Sequence, residues 1–381
     1  MVSIESVAKV ITGKTPPKAD PNCFGGNIPF ITPSELTDSD YLLKPETTLT
    51  EKGLATTKLI PKNSILVCCI GSLGKMAIAD LPVATNQQIN SVIFDDDKIY
   101  YRFGFYALKL LKNDLKKIAP STTVAIINKS RFSELKIPCP PLEEQKRIAT
   151  ILDKADGIHK KREQAIKLAD DFLRAKFLEM FGTPANNIHR FPKGTIRDLV
   201  DSVNYGTSAK ASIDSGEYPI LRMGNITYQG RWDFTDLKYL DLSVKEKDKY
   251  LVKEGDLLFN RTNSKELVGK TAVYEEDRPM AFAGYLIRVR PNSIGNNYYI
   301  SGYLNSIHGK ITLMNMCKSI VGMANINAQE LQNIEILIPP KHLQDEYEII
   351  YKKIKKGLSI YDKSAMQLQL LASNLSNKYF M

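Results

Sequence analysis

With 381 residues, 43% of them hydrophobic, the chain has room for two or three globular domains and is too apolar for general disorder. Its net charge of +10 favours a polyanionic partner. No apolar run reaches the ~18 residues of a membrane span. Met1-Val2-Ser3-Ile4-Glu5 lacks the basic start and apolar core of a signal peptide, so the expected location is the cytoplasm.

Residues 1–140 read as a mixed α/β region. Ile28-Pro29-Phe30-Ile31 and Ser64 through Ile70 are short apolar strand candidates punctuated by Gly, Pro, Asn and Asp, and Tyr101 to Leu115 fits a helix. Asp95-Asp96-Asp97-Lys98 follows the apolar Val92-Ile93-Phe94 and reads as a strand-ending turn rather than a nuclease acid cluster. Pro140-Pro141 then opens a charged tract ending near Phe181, with apolar residues at Ile148, Ile151, Ala155, Ile158, Ala165, Leu168, Phe172 and Phe177. Steps of three, four and seven over such a length predict a helix with a coiled-coil seam. Gly182-Thr183-Pro184 ends it, and residues 183–194 have a linker's composition.

The order then repeats. Tyr218-Pro219-Ile220-Leu221 takes the place of the first strand and Gly255 through Phe259 that of the second. Ile4 through Gly13 matches Ile196 through Gly206 with one gap, Gly74-Lys75 matches Gly269-Lys270, and Ile127-Asn128 matches Ile326-Asn327. Pro339-Pro340 opens a second seam through Tyr347, Ile350, Ile354, Leu358, Tyr361, Ala365, Leu368, Leu371, Leu375 and Tyr379. A repeat of about half the chain is too long for a solenoid and predicts two copies of one module, each followed by a helix. A helix of ~40 residues spans ~60 Å. If a pseudo-twofold axis relates the copies, two such helices lie antiparallel, with the modules at opposite ends. The expected divisions are 1–140 and 195–339 for the modules, 141–182 and 340–381 for the helices, and 183–194 for the linker.

Little in the chain suggests chemistry. The five cysteines (Cys23, Cys68, Cys69, Cys139 and Cys317) form no C-x-x-C pair, and the four histidines are scattered, so no metal is expected. An Asn/Asp-Pro-Pro-aromatic motif is absent. Gly269-Lys270-Thr271 resembles the end of a phosphate-binding loop, but Ser264 stands where its first glycine is required. A turn whose lysine faces phosphate or solvent is the better reading. The chain is expected to be no enzyme and to need no cofactor.

Gly13-Lys14-Thr15-Pro16-Pro17 followed by Gly26 through Leu36, Ala84-Thr85-Asn86-Gln87-Gln88, Gly255 through Thr262, Leu267 through Lys270, and Pro140-Pro141-Leu142-Glu143-Glu144-Gln145 opening a long helix together resemble the DNA specificity subunit of type I restriction-modification systems. The resemblance spans essentially the whole chain. It implies an α+β fold: two mixed α/β target recognition domains separated by two long helices that form an antiparallel coiled coil. Each domain would read one half of a bipartite, asymmetric site in double-stranded DNA. The helices would set the spacer and dock two modification (methyltransferase) subunits, which a restriction/translocase subunit joins. The second spacer departs from the first, since Lys341-His342-Leu343 replaces Leu142-Glu143-Glu144. A recognition subunit of a related type II enzyme and a coiled-coil scaffold that binds only protein are the other readings.

Lys, Arg and small polar side chains suit phosphate, and Arg, Lys, Asn and Gln suit base edges. In the first module the candidates are Lys14, Thr15, Thr32, Ser34, Ser72, Lys75, Asn86, Gln87 and Gln88. In the second they are Lys210, Arg222, Asn225, Arg261, Asn263, Ser264 and Lys270. Tyr205 and Trp232 could stack on bases, although core packing suits them better.

Overall fold

The computed structural model describes residues 1–37, 40–118, 125–264, 266–320 and 323–380. It divides into two compact units, Met1–Lys161 with Lys363–Met381, and Arg162–Asp362, so the division runs through both long helices.

The first unit is built on an antiparallel sheet ordered Ala8–Thr12, Ile89–Phe94, Ile65–Cys68, Met76–Ile78. Its strands are apolar on both faces because both faces are covered. Ile65, Val67, Met76, Ile78 and Val92 join Phe103 and Phe105 of the helix Tyr101–Leu110 in one core. The alternate residues Leu66, Cys68, Ala77 and Ile89 join Ile31, Leu36 and Ile60 in another. This strict alternation is the period of two that a pleated strand imposes. Beside it, Phe24–Ile31 pairs in parallel with Ala84–Thr85. The expected helix Tyr101–Leu115 breaks after Leu110 and resumes as Lys112–Ile118.

The second unit repeats this plan. Its sheet is ordered Val200–Tyr205, Leu286–Pro291, Leu257–Asn260, Thr271–Val273. The register agrees residue by residue: Leu66 pairs with Ala77 and Leu258 with Ala272, while Ile31 runs beside Thr85 and Leu221 beside Phe282. The single gap in the sequence match is Asp201, the extra residue of a bulge between Val200 and Ser202. Asn128 and Asn327 each cap a short helix, and the residue before each donates to an equivalent carbonyl, Ile127 to Cys69 and Ile326 to Arg261. Asp95 ends its strand in a turn, as expected, accepting a hydrogen bond from the Asp97 amide at 3.2 Å.

The long helices run Leu142–Phe181 and Lys341–Phe380. Each carries a buried glutamine in its first turn. Gln145 donates to the Lys98 and Pro140 carbonyls at 2.8 and 2.7 Å and accepts from the Tyr100 amide at 2.9 Å. Gln344 donates to the Ile294 and Pro339 carbonyls at 2.9 and 2.8 Å. Gly157 and Gly357 lie inside the helices without interrupting them. Of the first seam, Ile148, Ala155 and Phe177 are buried, but Leu168 and Phe172 are 61% and 49% exposed. Leu173, Phe177 and Phe181, four apart, are buried instead, and Phe177 and Phe181 close on Tyr299 and Tyr347 within the second unit. Beyond Ser359 the side chains of the second seam, Tyr361 included, lie outside the described residues.

Candidate nucleic-acid interface

Antiparallel register brings the polar loops to one end of each sheet. In the first unit Thr12 faces Asn90 and Cys68 faces Ile89, so 13–15, 86–88 and 69–75 all leave from that end. The Asn86 amide donates to the Ile31 carbonyl at 3.0 Å and adds 32–35 to the cluster. Gly13 is required there, because a Cβ would lie 2.2 Å from the Thr85 carbonyl oxygen. The Lys14 amide donates to that same carbonyl at 2.9 Å, and the Thr15 hydroxyl donates to Gln87 Oε1 at 2.6 Å. Thr32 and Ser34 close a turn on Glu35, which accepts from the Thr32 amide and from both hydroxyls. Lys14, Ser34, Ser72, Lys75 and Gln87 are exposed, while Thr15, Thr32 and Gln88 are half-buried.

The second unit gathers its loops the same way. Gly206 lies against Phe282 and Ala283 as Gly13 lies against Thr85 and Asn86, and the Thr207 amide donates to the Phe282 carbonyl at 2.9 Å. Lys210 is exposed and Arg222, Arg261, Asn263 and Ser264 are half-buried. Arg222 is held by Asp236, with Nη2 2.9 Å from both its carbonyl and its carboxylate. Arg261 stacks 4.8 Å over the Tyr205 ring, and the Tyr205 hydroxyl accepts from the Ala328 amide, which fixes the ring. Among the described residues Arg261 Nε is buried with no hydrogen-bond partner. Asn263 Oδ1 accepts from the Ser264 amide at 2.9 Å.

Three expected surface residues turn inward. Lys270 does not face phosphate or solvent: it is 7% exposed, its Nζ donates to the Met223 carbonyl at 2.8 Å, and burial lowers its pKa. Its counterpart Lys75 is exposed, so a shared turn carries one inward and one outward lysine. Asn86 is buried and bonds Gln88 through both its side-chain amide and its carbonyl. Asn225 is buried and donates to the Asp233 and Asp236 carbonyls. The two asparagines serve their own loops, the ordinary fate of Asn in turns, while Lys270 reaches the carbonyl of a distant loop. Trp232 packs on Phe234 and Tyr274 and donates to the Val273 carbonyl at 2.7 Å, as core packing predicts.

One residue was passed over. Tyr285, 56% exposed, takes the place of Gln88: its carbonyl accepts from the Arg261 amide as that of Gln88 accepts from the Cys69 amide. The gapless alignment of Ala281 through Tyr285 on Ala84 through Gln88 would have revealed it. Among the described residues no helix is long and apolar enough to cross a membrane, and no group of three or more His, Cys, Asp or Glu is gathered for a metal ion.

Two copies of one α/β scaffold, each presenting different polar loops at the same end of its sheet, define a tandem recognition module. The chain belongs to the type I restriction modification DNA specificity domain family, whose pattern matches residues 1–168 and 191–372. It is 23% identical to the specificity subunit of the type I restriction enzyme MjaIX from Methanocaldococcus jannaschii, over 98% of this chain and 91% of that one. It is 24% identical to the EcoKI specificity subunit of Escherichia coli K12, over 84% and 73% of the respective chains. The crystal structure of the type I S subunit from M. genitalium shares the fold, with a TM-score of 0.65 and 17% identity over 100% of this chain and 95% of that one.

Proposed function

We propose that the chain is a non-catalytic specificity subunit whose two recognition domains, 1–140 and 195–339, each read one half of a bipartite DNA site. The observation that carries this is the contrast between a conserved-in-register scaffold and divergent loops. Lys14 stands opposite Thr207 and Gln88 opposite Tyr285, positions equated by shared backbone hydrogen bonds, and the exposed Gln87 falls opposite Gly284 in the same gapless stretch. Two scaffolds that agree in framework and differ in their outward loops read different sequences, so the site is asymmetric. Lys14, Gln87, Lys75 and Lys210 supply phosphate or groove contacts, and Arg261, 4.8 Å over the Tyr205 ring, is the base reader of the second domain.

In this reading the long helices, 141–182 and 340–381, lie antiparallel as a spacer between the half-sites and dock two methyltransferase subunits, which a restriction/translocase subunit joins. The exposed Leu168 and Phe172, spaced i, i+4 on the first helix, support a helical protein partner there. The experiment is methylome sequencing of a host carrying the chain with its methyltransferase partner. A single bipartite, non-palindromic methylated motif that disappears with this chain is the expected result. Unchanged methylation without the chain overturns the reading.

A further inference from the structure

The same repeat that equates the two units also reverses the charge where each domain meets its long helix. Gln145 and Gln344 set the helix register, so Asp153 corresponds to Lys352 and Asp156 to Lys355. The carbonyls those glutamines cap, Lys98 and Ile294, set the domain register, so Arg102 corresponds to Tyr298.

In the first unit the domain sets cations against Asp153 and Asp156 of the helix, while its Asp40 also lies 3.6 Å from the helix cation Lys160. Arg102, 7% exposed along its side chain, forms an ion pair with Asp153 and lies 3.4 Å from Asp40. The Tyr106 hydroxyl donates to Asp153 at 2.7 Å, and Lys109 lies 3.4 Å from Asp156. In the second unit the domain contributes the acid. Glu275 accepts from the Tyr298 hydroxyl at 3.3 Å and from Lys355 Nζ at 2.5 Å, and Lys352 lies 5.1 Å over the Tyr298 ring and 3.9 Å from Glu254. Size is reversed too. Where Tyr106 reaches the first helix, the second unit has Gly302, and a Cβ there would lie 2.9 Å from the Tyr347 ring of the second helix.

From this reversal we infer that the joints are keys: each domain accepts the helix of its own unit and rejects the other, so the order of the two domains along the chain is set by joint residues remote from the reading loops. The inference rests on the two-domain reading above. Exchanging the domains without the helices would put Arg102 against Lys352 and Lys355, and Glu275 against Asp153 and Asp156. A like-charge contact here opposes the exchange, because Arg102 and Glu275, with side chains 7% and 19% exposed, cannot turn to water without undoing the packing around them.

The test needs no DNA, so it stands or falls apart from the functional reading. In the full chain, Lys352→Asp with Lys355→Asp gives the second helix the acids of the first. The urea midpoint of the second unit, followed through Trp232 fluorescence, should drop. Adding Glu275→Arg should recover more than half of that drop, although a cation alone at this site gains nothing from the unaltered helix. Failure of Glu275→Arg to recover any of the loss overturns the inference. A second measurement uses a chain with 1–140 and 195–339 exchanged. Asp153→Lys, Asp156→Lys, Lys352→Asp and Lys355→Asp together should raise its thermal midpoint, and an exchanged chain as stable as the parent before those changes also overturns it.

Discussion

The buried glutamine in the first turn of each long helix gives a prediction in which each copy is the control for the other. Gln145 is fully buried and makes three hydrogen bonds; Gln344 is equally buried and makes two, with Oε1 lacking a partner among the described residues. Replacing Gln145 by Leu, of similar volume, strands two carbonyls and one amide. At ~1–3 kcal/mol per orphaned buried group, partly offset by the apolar replacement, the loss is ~3–5 kcal/mol. Gln344→Leu strands two carbonyls and also removes an already unsatisfied oxygen, so its loss is smaller, ~1–3 kcal/mol. With a urea slope of ~2–3 kcal/mol/M, the first change lowers its unit's midpoint by ~1–2.5 M and the second by ~0.3–1.5 M. Trp232, the one tryptophan of the chain, reports the second unit, and hydrogen exchange across 98–108 reports the first. A loss at Gln344 equal to or larger than that at Gln145 refutes the reasoning, because it would mean that bond count at these pins does not govern stability.

Further outcomes follow from the loops and the cores. Arg261→Ala should weaken specific DNA binding by ~1–3 kcal/mol and relax preference at one base pair while leaving the unfolding midpoint nearly unchanged; unaltered affinity removes it as a reader. Gly206→Ala sets a Cβ 2.3 Å from the Phe282 carbonyl oxygen, and Gly13→Ala sets one 2.2 Å from that of Thr85. Each should cost ~1–3 kcal/mol in thermal unfolding, since backbone on both sides cannot yield. Lys310, beside the Tyr228 ring, has its pKa pushed down to about 8 by burial and by Arg174. The unfolded chain binds the extra proton between about pH 8 and 10.5, so this lysine destabilises most below pH 8 and the cost fades as pH rises through that window. Lys310→Met should therefore stabilise by ~2–3 kcal/mol at pH 7, with the gain in urea midpoint vanishing by about pH 10.5. Deleting one heptad from either long helix should change the spacer tolerated between half-sites, read from the methylated motif; an unchanged spacer rejects the helices as a ruler.

Much of this molecule was legible in one dimension because it is repeated. Order, spacing and a single gap were enough to align the halves, and the gap proved to be the Asp201 bulge, a local event that leaves the flanking register intact. The long helices were legible because periodicity, Pro-Pro starts and the absence of interior proline are local properties of the chain. The loops of the candidate interface were also placed correctly near strand ends, as turn chemistry is local too.

What a side chain does at the end of its loop is not local. Lys75 and Lys270 sit in the same Gly-Lys turn, yet only the tertiary structure turns Lys270 inward, because the Met223 carbonyl waits for it there. Burial of Asn86 and Asn225 depends on neighbouring strands that come from distant sequence. Leu168 and Phe172 continue the apolar seam in sequence but remain exposed, because the helix face that meets the second unit is the one through Leu173, Phe177 and Phe181. The chain by itself determined that there are two like modules and two long helices, since repetition and period survive without contacts. The tertiary structure decided which residues face outward and which charge each helix must carry to meet its domain. Those depend on pairs such as Arg102 with Asp153 and Lys355 with Glu275, about 50 and 80 residues apart in the chain, which folding alone brings together.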